Sequence, residues 1–83
     1  MAYAKTEGEW GLRAAAHLKA EMKKAEITYA DMIKRLKKHG FKETEASLTM
    51  KLKRASFSAS FYLASLAALE LDGVRLEDVR GAT

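Results

Sequence analysis

From Ala55 to Leu69 the chain reads ASFSASFYLASLAAL, fifteen residues without a charge, in a protein in which 31% of residues are charged. The cluster KLKR stands directly before it. A bilayer-spanning helix needs about 20 consecutive apolar residues. This run is shorter and rich in Ser and Ala, so it is expected to be an interior helix and not a membrane span. A chain of 83 residues has room for one domain and one modest core. The uncharged run is the natural centre of that core.

What surrounds the run is helical in character. The chain has no proline, and Ala, Leu, Lys, Glu and Met dominate it. No alternating run of β-branched residues appears. The expected fold is therefore all-α, a compact four- to five-helix bundle with a short C-terminal turn or strand. Residues 1–8 read as a loose N-terminal arm and 9–83 as the domain. The first helix is expected from Glu9 to Ala25, with Ala15, Leu18, Met22 and Ala25 at helical spacing and Trp10 capping one end of the core. The second begins near Thr28, whose partner Asp31 makes a capping-box pattern. It carries Met32, Ile33 and Leu36 as its stripe and stops at Gly40. The third starts after the N-cap Thr44 and turns Leu48, Leu52 and Ala55 inward, with Glu45 on the same side. The fourth starts at Ser58 with Phe57 as a staple and is apolar nearly all round. A bend at Asp72-Gly73 leads to Val74, Leu76 and Val79, a strand or a last helical turn.

Charge is unevenly placed. Residues 34–54 hold eight basic and two acidic side chains, a net of +6, and the rest holds seven basic and nine acidic, a net of −2. A concentrated basic region is the electrostatic footprint of a nucleic-acid binder, although a solvated helix face also carries such charge. Catalytic chemistry has little to work with. There is no cysteine, the two histidines His17 and His39 are far apart, and the five glycines form no phosphate loop. Neither a catalytic residue, a metal site nor a cofactor is expected. MAYAKTEGEWGLR lacks an apolar signal-peptide core, and the absence of cysteine suits a reducing compartment, so a cytoplasmic protein is expected.

The helix TYADMIKRL, the turn HGF and the helix TEASLTMKLKRA follow one another in the order of a helix-turn-helix. At these residues the chain resembles the lambda-repressor-like (Xre-type) helix-turn-helix superfamily. ITYADMIKRL matches its lTqeeLAekL opening. SLTMKLKRASFSASFYLASLAALEL is similar to its third helix, the loop after it, and a fourth helix leading to a kaLgv ending. ETEASLTMKLKRASFSASFYLASLAALEL is closer still to a small bacterial branch of uncharacterised helix-turn-helix domains that read ETE…I..KI.RG.F.A.FF...L.A. The chain departs from the superfamily in several places. Ile33 stands for a usual Ala, Gly40 comes seven residues after it where four is usual, and two residues are added before the third helix. Leu48 and Leu52 are four apart where three is usual, and Ala55 stands for a usual Gly.

The resemblance implies a DNA-binding transcription regulator that inserts helix 44–55 into the major groove. Position by position, Glu45, Ala46 and Ser47 match the base-reading start of the recognition helix, and Met50 or Lys51 its next exposed turn. A helical wheel favours Ala46, Met50 and Lys53, within about 60° of the point opposite Leu48 and Leu52, with Ser47 and Arg54 beside them. Phosphate candidates are Lys34, Lys37, Lys38, Lys42, Lys53 and Arg54, with Lys51 as a further cation. Glu43 and Glu45 would be repelled by phosphate but could accept from a cytosine amino group. A homodimer on double-stranded DNA is the expected assembly, because one small domain contacts few phosphates. Its seam candidates are Tyr62, Leu66, Leu69, Val74, Leu76 and Val79. The alternative is an adaptor that grips a protein partner through its apolar fourth helix and Met-containing third. RNA binding is disfavoured because Phe57, Phe61 and Tyr62 are expected inside the core, leaving no aromatic platform.

Overall fold

Four hydroxyl side chains set where the helices begin. The computed structural model describes residues 3–80, and in it the helices are α1 (Glu7–Lys24), α2 (Tyr29–Lys38), α3 (Glu45–Arg54), α4 (Ala59–Ala68) and α5 (Leu76–Arg80). Thr6, Thr28, Thr44 and Ser58 each precede a helix in extended conformation, and each side-chain oxygen accepts a backbone N–H of the first turn. At Thr28 the cap is a complete capping box with Asp31, and at Thr44 Ser47 plays the returning role. Phe57 sits beside Tyr62, ring centroids 6.1 Å apart, as the staple that fixes how the chain enters α4.

Helix ends follow an equally local rule. Glu26, Gly40 and Glu70 take positive φ just past α1, α2 and α4. Behind them Ile27, Phe41 and Leu71 donate back to the carbonyls of Met22, Leu36 and Leu66 at 2.9, 3.1 and 3.0 Å. These are Schellman closures, and each brings two apolar side chains together. The fourth helix end, α3, closes on Ala55 at φ 56°.

The stripes anticipated from spacing meet in one core. Leu18 and Met22 of α1, Met32 and Leu36 of α2, Leu48 and Leu52 of α3, and Phe61 and Leu66 of α4 are buried together. Phe61 is at the centre, edge-on to Phe41 at 5.9 Å and tilted on Phe57 at 5.3 Å. α1 comes close to the link from α3 to α4. A methyl group at Gly11 would lie 2.0 Å from the Ala55 carbonyl oxygen, so only a glycine allows this contact. Arg35 ties α2 to the end of α4, donating Nη1 to the Ala68 carbonyl at 2.9 Å. The Cα radius of gyration is 12.1 Å, in keeping with a compact chain of this length.

The fold is all-α, as expected, and the C-terminal segment, left open as a strand or a last helical turn, is the short helix α5, packed on α1, with no strand among the described residues. Other expectations are corrected. The first helix starts at Glu7, not Glu9, because Thr6 supplies an earlier cap. Of the arm, Met1 and Ala2 lie outside the described residues, Ala4 is buried, and Tyr3 stacks on Trp10 at 6.2 Å. Trp10 therefore does not cap the core: it is 38% exposed and packs outward on Tyr3. Among the described residues no helix is long and apolar enough to cross a membrane.

Candidate nucleic-acid interface

The outward face of α3 is built by the inward one. Leu48 and Leu52 are buried, which fixes the rotation of the helix about its axis. Ala46, Met50, Lys53 and Arg54 are then left on the exposed side, as the wheel requires. Met50 is 42% exposed, and Glu45 and Thr49 are exposed at one edge of the row. Two of the proposed base-reading residues do not join it. Ser47 is half-buried, and its hydroxyl donates to Glu43 Oε1 at 2.6 Å while accepting the Thr44 N–H at 2.9 Å. Lys51 is also half-buried, with its ammonium on Glu43 Oε2 and 4.7 Å from the centroid of the Phe61 ring. Lys51 is thus corrected from a reader of bases to an internal partner of Glu43.

Glu43 is the other half of that correction. Its side chain is only 5% exposed, so it does not face phosphate or a base. Burial alone would push its carboxyl up. The hydrogen bonds from Lys51 and Ser47, with the Lys51 charge, outweigh burial and hold it below the ordinary carboxylate value. Glu43, Ser47 and Lys51 stand four residues apart on one flank of the helix line. That spacing was a readable signal of a side-chain chain of contacts.

The phosphate candidates are all exposed but do not form one patch. Lys37 and Lys42 line a hollow with Ile33 and Glu43 beside the start of α3. Lys38 lines a different hollow, with Arg35, Ala68 and Glu70 at the end of α4. The α2 wheel sends Lys34 directly away from the buried Met32–Leu36 line. Lys53 and Arg54 lie at the far end of α3. The coherent set is therefore Lys37 and Lys42 at one end of α3 and Lys53 and Arg54 at the other, with Ala46 and Met50 between them.

The seam candidates fare differently. Leu66, Leu69 and Val79 are buried within this one chain, so they cannot also be a surface between copies. Leu66 and Leu69 belong to the core cluster, with Leu71 and Val74 packed against it, and Val79 lies in α5, which packs on α1; periodicity within α4 could not reveal that arrangement. Val74 is half-buried against the core, and Tyr62 is half-buried with its hydroxyl 3.0 Å from His17 Nδ1. Burial, and then the nearby Glu21 carboxylate, pushes the Tyr62 phenol up. Leu76 alone of the six is fully outside, at 61% exposed. Leu63, which the seam did not include, is 64% exposed, and with Ala59, Ser60 and Ala67 forms an uncharged outer face of α4.

One feature contradicts the expectation of no aromatic platform. The Tyr3–Trp10 stack is exposed, and Trp10 lines a cleft with Arg54 of α3.

A family model described as a domain of unknown function (DUF6471) matches residues 10–74, from the first turns of α1 through α4 and the segment after it. The chain belongs to the DUF6471 family. Within DUF6471 residues lie α2, α3, α4, Gly11 and every base-reading and phosphate candidate, while Tyr3, Glu7 and α5 stand outside the match. No curated protein and no solved structure matches the chain.

Proposed function

We propose that this protein binds double-stranded DNA as a cytoplasmic, Xre-like transcription regulator of bacterial type, laying α3 in the major groove with α2 across the backbone. The observation that carries this reading is the outer row of α3. Short or flexible side chains, Ala46 and Met50, occupy its middle, where a helix must come close to base edges. Exposed cations flank it at both ends, Lys37 and Lys42 on one side and Lys53 and Arg54 on the other. Of the two acidic side chains at its entrance, Glu43 is turned inward and paired with Lys51, and Glu45 stays exposed at the edge of the row, where it can accept from a cytosine amino group. The α2–α3 pair, with its six-residue link and capped ends, has the chain order of a helix-turn-helix. A homodimer on two half-sites gives so small a contact useful affinity, and Leu63 and Leu76 are the exposed apolar side chains available to it.

The test is fluorescence anisotropy of a labelled random duplex titrated across salt. Binding should fall steeply with log salt. Joint Lys53→Ala and Arg54→Ala substitution should weaken binding at every sequence and lower the salt slope by about two. Salt-independent binding, or an unchanged slope in the double variant, removes the assignment.

A second reading, an adaptor on the same fold, is favoured by the uncharged outer face of α4. Duplex DNA that fails to bind at low salt, with a purified partner that binds wild type but not Leu63→Glu, would select it.

A further inference from the structure

The cleft between the first turns of α1 and the α3–α4 link is chemically unlike the α3 face. Its lining includes Glu7, Gly8 and Trp10 of α1, Arg54 of α3, and Phe57 and Tyr62 at the start of α4. Its volume is about 470 Å³, within the range of roughly 300–1,000 Å³ usual for small-molecule sites. Trp10 stacks on Tyr3 with ring planes 25° apart and still lines the cleft, so the indole is backed by a second ring and not collapsed onto the core. Gly8 lines the cleft, and a methyl group there would meet nothing nearer than Thr6 Oγ1 at 4.0 Å, so a side chain can be placed at this position without a clash.

Three recognition chemistries thus meet in one place. An indole face supports stacking, a guanidinium binds an anion, and a carboxylate accepts from an amino group. An unpaired nucleotide offers all three in return: a flat base, a phosphate, and in cytosine, adenine or guanine an exocyclic amine. Base–aromatic stacking beside a cation is the usual physics of single-strand binding.

We infer that this cleft holds an unpaired nucleobase, stacked on Trp10, with its phosphate on Arg54 and its amino edge on Glu7. The shared chemistry is an amino-bearing nucleotide, of cytosine, adenine or guanine, in single-stranded DNA or RNA. A paired base cannot enter, because its faces are covered by neighbouring pairs. The inference does not require α3 to enter a groove, and it stands or falls separately from the duplex reading.

Trp10 is the only tryptophan in the chain, so its emission reports this cleft alone. The experiment titrates the full chain with a deoxycytidine octamer and a cytidine octamer at low salt and follows tryptophan fluorescence. Both are expected to quench saturably, and a preference for one identifies which strand is bound. Arg54→Ala should weaken the quench about tenfold. Gly8→Leu, which fills the cleft at an exposed helical position, should abolish it while circular dichroism stays unchanged. In anisotropy with labelled octamers, Trp10→Ala should lose about 5- to 150-fold in affinity. No quench at millimolar octamer overturns the inference. So does equal quenching by a blunt duplex, or undiminished quenching in Gly8→Leu. Duplex binding in anisotropy, with no quenching by either octamer, retains the α3 reading and rejects this one.

Discussion

Helices α3 and α4 are neighbours of equal length, ten residues each, and they are made on opposite plans. α3 buries two leucines and surrounds them with charge. α4 has no charge at all and buries Phe61, Ser65, Leu66 and Ala68, yet leaves Leu63 almost bare. An amphipathic stripe therefore tells which way α3 faces, because only one rotation hides its leucines. α4 offers no such contrast, and its orientation is chosen by its neighbours: Arg35 at its end, Phe41 beside Phe61, and the returning segment after Leu71. The charged helix is the one whose surface is readable, and the uncharged helix is the scaffold that holds it out.

Phe61 and Leu63 sharpen that contrast most strongly. Phe61→Ala should cost about 3–5 kcal/mol, enough to unfold most of a domain of this size, whereas Leu63→Ala two residues away should change stability by no more than about 0.5 kcal/mol. Urea unfolding followed by circular dichroism measures both, and similar losses would mean that the outer face of α4 is covered. Next comes the joint between the two helices. Gly11→Ala places a methyl group against the Ala55 carbonyl and should cost about 3 kcal/mol by forcing α1 away from the α3–α4 link. A Gly11→Ala protein as stable as wild type would show that α1 does not seat there.

The Glu43–Lys51 pair tests whether α3 has one charged face or two. Lys51→Met should lower stability by about 1–3 kcal/mol, by leaving a nearly buried carboxylate without its partner, and should leave the salt slope of DNA binding unchanged. The folded-state Glu43 carboxyl sits below its ordinary value of 4.5, so its contribution is whole above that pH and drains away as pH falls through the lowered value. Glu43→Gln should flatten this acid limb in a pH series of melting temperatures. An unaltered limb would place the titration elsewhere.

The smallest effects lie at the helix ends. Glu26→Gly and Glu70→Gly should each raise stability by about 1 kcal/mol, because both positions hold a non-glycine residue at positive φ. Gly40→Ala, at φ 88°, should lower it by a similar amount. Thermal melts of the three variants show whether the opposite signs hold.

Local hydrogen-bond geometry was open to a reading of the chain. Thr28 with Asp31, Thr44, Ser58 and Gly40 all announce themselves through residues within four positions. The leucines of α3 do so as well, because a 3.6-residue period is a property of the chain alone. Glu26 and Glu70 were not legible as left-handed caps, since nothing in their identity asks for positive φ. The Schellman bonds, with the half-buried Ile27 and Leu71 that follow and pack on the core, hold the strain.

The sequence by itself determined that this protein is helical, where α2, α3 and α4 begin, and which side of α3 lies inward. Those outcomes depend on caps, propensity and period, all of which act over a turn or two. Only the tertiary structure decided that Lys51 is spent on Glu43 and Phe61 and that Leu66, Leu69 and Val79 are interior. It also decided that Trp10 lies outside the core, stacked on Tyr3 beside Arg54. Burial and charge pairing depend on which distant segments come together, and a residue's own neighbours in the chain carry no record of that.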